Sequence, residues 1–223
     1  MPFHAVEFVN FHAWHKLQGP LIQGLNIKIP QGVTTAFISS HQRTRHILAN
    51  SLLGRHKLIS GSIRVLNVDT KATHQNKKEH FGIICCNPKT GIVPHLNCEE
   101  NLLLPLTSEP AIVGGGLPLW EIFQLFPQLQ NVLHTLSANI KYPLKLQLTW
   151  ARALRTGANI FLFKNLSINL TEENLKQFKA LFHYLNQRNY TIILIEEPES
   201  CAQHLARYKY NIEKMNRSHY LRI

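Results

Sequence analysis

Residues 39–46 carry the side chains whose types and spacing could hold a phosphate. The segment Ser39-Ser40-His41-Gln42-Arg43-Thr44-Arg45-His46 follows an apolar stretch at 33–38 that reads as a strand, and a helix-like run at 47–54 comes next. Strand, eight-residue loop and helix is the arrangement that cradles nucleotide phosphates when the loop spells G-x-x-x-x-G-K-[ST]. On that template the two glycines fall on Ser39 and Thr44, the lysine on Arg45 and the magnesium-binding hydroxyl on His46. Glycine lets the backbone turn tightly and bring its N–H groups onto phosphates, and side chains at Ser39 and Thr44 obstruct that approach. Arg45 offers a planar fork in place of a compact ammonium. His46 is a poor partner for magnesium, which prefers oxygen. The frame of a phosphate loop is present and its chemistry is altered.

The segments around this loop, taken in order, resemble the ATPase subunit of ABC transporters over residues 3–217, nearly the whole chain. Gly24-Leu25-Asn26-Ile27-Lys28-Ile29-Pro30-Gln31-Gly32 looks like the strand and turn before the loop, and Ser60-Gly61-Ser62-Ile63-Arg64-Val65 like the turn and strand after the first helix. Phe81-Gly82-Ile83-Ile84 and then Pro94-His95-Leu96-Asn97-Cys98-Glu99-Glu100-Asn101-Leu102 resemble the Q-loop region and the segment beyond it. Ala151-Arg152-Ala153-Leu154 is similar to the helix after the signature motif, and Thr191-Ile192-Ile193-Leu194-Ile195 to the last core strand. The resemblance implies one α/β domain over 1–223: a P-loop NTPase-like core, an N-terminal antiparallel β part and a helical insert at about 102–145. Gly114-Gly115-Gly116, with Pro105, Pro110, Pro118 and Pro127, points to a short, remodelled insert. Apolar spacing at 117–125, with Trp120, reads as core packing before a docking surface. Thr171-Glu172-Glu173-Asn174 reads as a helix start, with an apolar face on Leu175, Phe178, Leu181, Phe182 and Leu185.

The departures from the family pattern fall on every catalytic element. The Walker B strand is Asn159-Ile160-Phe161-Leu162-Phe163, and Lys164-Asn165 follows where the family has Asp-Glu. A lysine there disfavours a divalent cation, and Asn165 cannot serve as a general base. The Q-loop glutamine aligns with Cys86, the switch histidine with Glu197 and the D-loop aspartate with Thr171. Counted without gaps, the signature motif falls on Ile140-Lys141-Tyr142-Pro143-Leu144; a four-residue insertion would place it on Leu136-Ser137-Ala138-Asn139-Ile140. Neither has a glycine, and a proline in such a loop removes a backbone donor. Phe11 and Trp14 are candidates for the family's adenine-stacking aromatic, set against an aromatic that only covers the sheet edge.

Composition suits a globular chain: 223 residues, 44% hydrophobic, 17% charged. No apolar run approaches the length of a membrane span, and the start shows no secretory signal. Four cysteines, two adjacent, make no disulfide framework. Net charge is +11, from 24 basic and 13 acidic residues, with 13 histidines besides. That charge fits a basic solvated surface, an anionic membrane face or acidic partner, or nucleic acid. No basic helix, aromatic-basic ribbon or zinc spacing supports the last, and no metal site is expected at the histidines. The expectation is a pseudo-ATPase with a structural or regulatory role at the inner face of the cytoplasmic membrane. Its partner would be a permease, an active ATPase or a second copy. The alternatives are a divergent ATP-binding transport subunit, with ATP and magnesium as cofactors, and a nucleic-acid- or lipid-surface-binding module.

Overall fold

The computed structural model describes residues 4–70, 82–87, 89–104, 116–166 and 171–220, without the side chains of 201–202 and 217–220. Phe81, Pro105, Pro110, Gly114 and Gly115, which entered the sequence reading, lie outside them. The chain divides into two compact units, Met1–Ile83 with Asn159–Ile223, and Ile84–Ala158. The insert expected at about 102–145 falls inside the second.

The first unit opens with two long antiparallel strands, β1 (His4–His15) and β2 (Gly19–Pro30). Apolar residues alternate along them, so one face is buried, with Phe8, Phe11, Ile22, Leu25 and Ile29 inside. β4 (Ile59–Val65) pairs on the other side of β1 and turns through Leu66 and Asn67, both at positive φ, into β5 (Val68–Asp69). Two left-handed residues suit a two-residue hairpin. Gly61 sits at φ +70 against a bulge in β1, where a Cβ would come within 2.0 Å of the Asn10 carbonyl oxygen, so only glycine fits.

The second sheet is built from β3 (Thr34–Ile38), β6 (Ile83–Cys85), β7 (Ile160–Lys164), β8 (Thr191–Glu196) and β9 (Tyr208–Asn211), in the order β6-β7-β8-β3-β9. The pairings β7–β8, β8–β3 and β3–β9 are parallel. Every residue of β3 and β8 is buried, which is why these strands read as continuous apolar runs without alternation. Phe37 packs edge-on to Phe8 across the two sheets, and Phe8 packs likewise on Phe11. α1 (Gln42–Leu52) follows β3, and α5 (Glu172–Gln187) precedes β8. Thr171 caps α5 as expected, accepting from the Asn174 N–H, and Phe182 meets Phe163 of β7 at 6.1 Å between ring centroids. α6 (Ile212–Tyr220) follows β9.

The second unit holds α2 (Cys98–Leu103), α3 (Leu119–Leu125), a 3₁₀ turn at Pro127–Val132 and α4 (Tyr142–Leu154). Asn97 and Glu100 form a reciprocal capping box on α2. The fully buried Asn101 amide donates to the Val93, Leu96 and Asn97 carbonyls and to Ser137 Oγ, while its oxygen accepts from the Val93 N–H. The core-packing expectation for Trp120 is corrected: its side chain is 62% exposed. Within α3 Glu121 and Ile122 are buried, as are Leu117 before the helix and Phe126 at its end, and Trp120 is not among them.

Candidate functional site

β7, β8 and β3 are neighbours and parallel, so their carboxyl ends meet at one edge of the sheet. That edge brings together residues far apart in sequence: Ser39 to His41 after β3, Lys164 and Asn165 at the end of β7, Glu196 and Glu197 at the end of β8. Ligands of open parallel sheets bind at such an edge.

The connection from β3 to α1 is shorter than the eight residues expected. α1 begins at Gln42, with His41 as an extended cap at φ −91, ψ 115, and the first helical bond runs from the Arg45 N–H to the His41 carbonyl. Thr44, Arg45 and His46 therefore lie in the helix. Without glycine no residue of 39–46 takes a positive φ, and helical φ/ψ is the compact conformation open to ordinary side chains.

Arg45 is only 3% exposed. Its guanidinium turns back on its own loop, donating to the Ser39 carbonyl at 2.7 Å and the Ser40 carbonyl at 3.3 Å. The other terminal nitrogen pairs with Glu197, whose side chain is 57% exposed. The two positions expected from the sequence to match the phosphate-binding lysine and the switch histidine are thus joined to each other. The buried Glu196 carboxylate accepts from the Leu166 N–H and from Ser200 Oγ, and its carbonyl takes the Ser39 N–H. Glu213, in the first turn of α6, accepts from Ser39 Oγ at 2.6 Å, the Ser40 N–H at 3.0 Å and Ser40 Oγ at 3.3 Å. Sequence reasoning missed Glu213 and Glu196; a contact across 174 positions leaves no local pattern.

His46 and Lys164 also meet. Lys164 Nζ lies 3.3 Å from His46 Nδ1, and Asn50 Nδ2 lies 2.8 Å from His46 Nε2. Burial, the Lys164 ammonium and nearby His56 lower the His46 pKa from 6.5, so the imidazole that lies between the Lys164 ammonium and the Asn50 amide is neutral at neutral pH. Asn165 stands at φ 54, a left-handed position asparagine tolerates. Its N–H donates to the Ile195 carbonyl, and its buried Oδ1 has no partner among the described residues. Among the described residues no group of three His, Cys, Asp or Glu side chains could hold a metal ion.

The remaining expected site residues are distributed as follows. In the second unit Cys86 is buried, and burial with the neighbouring Cys85 raises its thiol pKa well above the usual range, leaving a neutral thiol. The start of α4 coincides with the ungapped signature segment: Ile140 is buried, Lys141 is the cap, Tyr142 and Pro143 open the helix and Leu144 follows. Pro143 removes one of the free N–H groups of that first turn. Ser137, the serine of the gapped alternative, is fully buried, donating to the Val93 carbonyl and accepting from Asn101. In the first unit Phe11 is fully buried and offers no face to a base, which corrects its candidacy for stacking. Trp14 is half-buried and already stacks on His12, at 5.8 Å and 16° between planes.

Comparison with known proteins agrees with this architecture. No protein-family model matches the chain. It is 27% identical over 201 residues, 83% of its length, to the macrolide export ATP-binding/permease protein MacB of Shigella flexneri, and 26% identical over the same span to that of Escherichia coli K12. The chain spans only 29% of these curated relatives. Among solved structures it superposes on MJ1267, an ATP-binding cassette of an ABC transporter in its ADP conformation. The TM-score there is 0.76 at 15% identity, covering 95% of this chain and 87% of that one. MJ0796, a dimeric cassette in a post-hydrolysis state bound to ADP and Pi, gives 0.73 at 14%, covering 93% and 94%. CbiO1 of Clostridium perfringens, part of the transporter complex cbiONQ, gives 0.76 at 13%, covering 94% and 85%. The fold is that of an ABC ATPase, with an N-terminal antiparallel sheet and a parallel core sheet. In sequence the chain is similar to part of the ATP-binding/permease proteins named above. Among the described residues no helix is long and apolar enough to cross a membrane.

Proposed function

We propose that the chain serves as a cassette subunit of an ABC transport assembly and holds its geometry without turning over ATP. The observation that carries this reading is the contact of Lys164 with His46. These are the positions aligned with the aspartate and the hydroxyl that hold magnesium, and here they are an ammonium and a neutral imidazole. That donor set does not fit a magnesium ion, which takes oxygen ligands and is repelled by a fixed cation. Asn165 has no basic oxygen to polarise a water. Arg45 is committed to two carbonyls and Glu197, and Pro143 thins the donors at the start of α4. The assembly would place the chain at the inner face of the cytoplasmic membrane, against a permease and beside an active ATPase or a second copy.

A second reading is supported by the comparisons: a divergent subunit that still binds ATP, as the names of the relatives say of those proteins. Titration calorimetry with ATP, with and without magnesium near physiological salt, separates the two. Absence of binding at millimolar ATP is the expected result. Micromolar, magnesium-dependent binding would overturn the pseudo-ATPase and leave the divergent ATP-binding subunit.

A further inference from the structure

α6 makes two polar attachments from one face, three positions apart. Asn216 clips it to β2, accepting from the Gln23 N–H at 3.1 Å and donating to the Leu21 carbonyl at 2.8 Å, and Ile212 is buried beneath it. Glu213 reaches the other way, onto the segment after β3. A single oxygen, Oε1, collects all three donors there: the Ser39 hydroxyl, the Ser40 hydroxyl and the Ser40 N–H. A backbone N–H and two hydroxyls converging on one anionic oxygen are donors that could equally serve a phosphate oxygen.

We infer that α6 is an intramolecular latch: Glu213 is a tethered anion that occupies the donors of the phosphate loop and excludes a phosphate-class ligand while α6 stays seated on β2. The inference rests on reading 39–46 as a phosphate loop and goes beyond the question of turnover. A carboxylate within hydrogen-bonding distance of Ser40 both fills its N–H and repels a second anion at short range. The Arg45–Glu197 pair works in the same sense, because it commits the nearest buried cation to a carboxylate of the chain. Coupling of this kind is reciprocal: whatever lifts α6 opens the loop to anions, and an anion seated on the loop loosens α6. The Asn216 clip, at the far attachment, should therefore control anion affinity without touching the loop.

The test is magnesium-free titration calorimetry of the full chain with inorganic pyrophosphate, comparing wild type with Glu213→Gln, Glu213→Ala and Asn216→Ala. The affinity of the two Glu213 variants should rise at least about tenfold, the scale on which charge-assisted hydrogen bonds act. Asn216→Ala should raise it by a smaller factor, about threefold, as expected for a loosened clip. Should Glu213→Ala fail to fold, the isosteric Glu213→Gln carries the test. Unchanged affinity in folded Glu213→Gln overturns the latch. So does a gain in Glu213→Gln with none in Asn216→Ala, since that would be a local charge effect independent of α6. Failure of the functional reading looks different: magnesium-dependent ATP binding that is absent in wild type and appears in the Glu213 series would remove the pseudo-ATPase and keep the latch.

Discussion

Arg45 and Glu197 form a pair whose two halves should respond unequally to mutation. The guanidinium is 3% exposed and the carboxylate 57%. Replacing Glu197 with Gln removes a partner that water already screens, which by the behaviour of exposed ion pairs costs about 1 kcal/mol. Replacing Arg45 with Met preserves bulk and removes the donors to the Ser39 and Ser40 carbonyls. The first of those acceptors is buried and the second partly so; at about 1–3 kcal/mol for a stranded buried acceptor, the loss should total about 3 kcal/mol. With a urea dependence of about 2–3 kcal/mol/M for a chain of this size, the midpoint should fall by about 1 M for Arg45→Met and about 0.4 M for Glu197→Gln. The double variant should show a coupling of about 1 kcal/mol, and high salt should shrink the Glu197→Gln effect further. A coupling of about 3 kcal/mol or more would mean the pair behaves as one buried in protein. A neutral Arg45→Met would mean the guanidinium does not support the loop carbonyls. Either result refutes the account of Arg45 as an internal prop.

Lys164→Met should raise the His46 pKa, followed by NMR titration of the imidazole; an unchanged value would remove the Lys164–His46 contact. Because the folded pKa of His46 lies below its unfolded value of 6.5, the folded chain binds fewer protons than the unfolded chain as pH drops past that point. The contribution is intact above pH 6.5 and is lost as pH falls through the lowered pKa, and the exposure of His46 keeps it small. His46→Asn should accordingly flatten the fall in urea midpoint between about pH 7 and about pH 5, and an equally steep fall would contradict the shift. Asn101→Ala should destabilise its unit by about 3 kcal/mol, since it strands several buried backbone groups, and hydrogen exchange over residues 93–104 would register the loss. Arg45→Lys alone should restore no ATP hydrolysis; measurable turnover in that variant would show that the motif positions are assigned wrongly.

The frame of the site was legible in the sequence because buried parallel strands are continuous apolar runs. Thr34 to Ile38, Ile160 to Phe163 and Thr191 to Ile195 could be placed, and with them the residues that follow each strand. Thr171 and the face of α5 were legible for a similar local reason, a cap and a helical period. The start of α1 was misjudged because the eight-residue template assumes glycine conformations that Ser39 and Thr44 do not adopt. The exposure of Trp120 was not legible because apolar residues at 119, 120, 122, 123 and 125 cover more than half the circumference of α3, so the sequence does not mark which side is buried. Glu213 lay beyond any sequence pattern. Its role depends on β9 carrying the chain back alongside β3, which is a property of sheet order.

The partners of each charge connect these observations. A site that binds a polyphosphate must present cations and N–H donors not yet spent on the protein itself. Here Arg45 is spent on Glu197 and two carbonyls, the Ser40 N–H on Glu213, and Lys164 contacts a neutral imidazole. Two carboxylates of the chain, Glu213 and Glu197, take up the Ser40 N–H and the Arg45 guanidinium at this edge. The pairing is not complete: Arg45 Nε and Asn165 Oδ1 are buried with no hydrogen-bond partner among the described residues. The pairs that do form, across three strands and a helix, hold this edge in order without a nucleotide to organise it, as the proposed non-catalytic role requires.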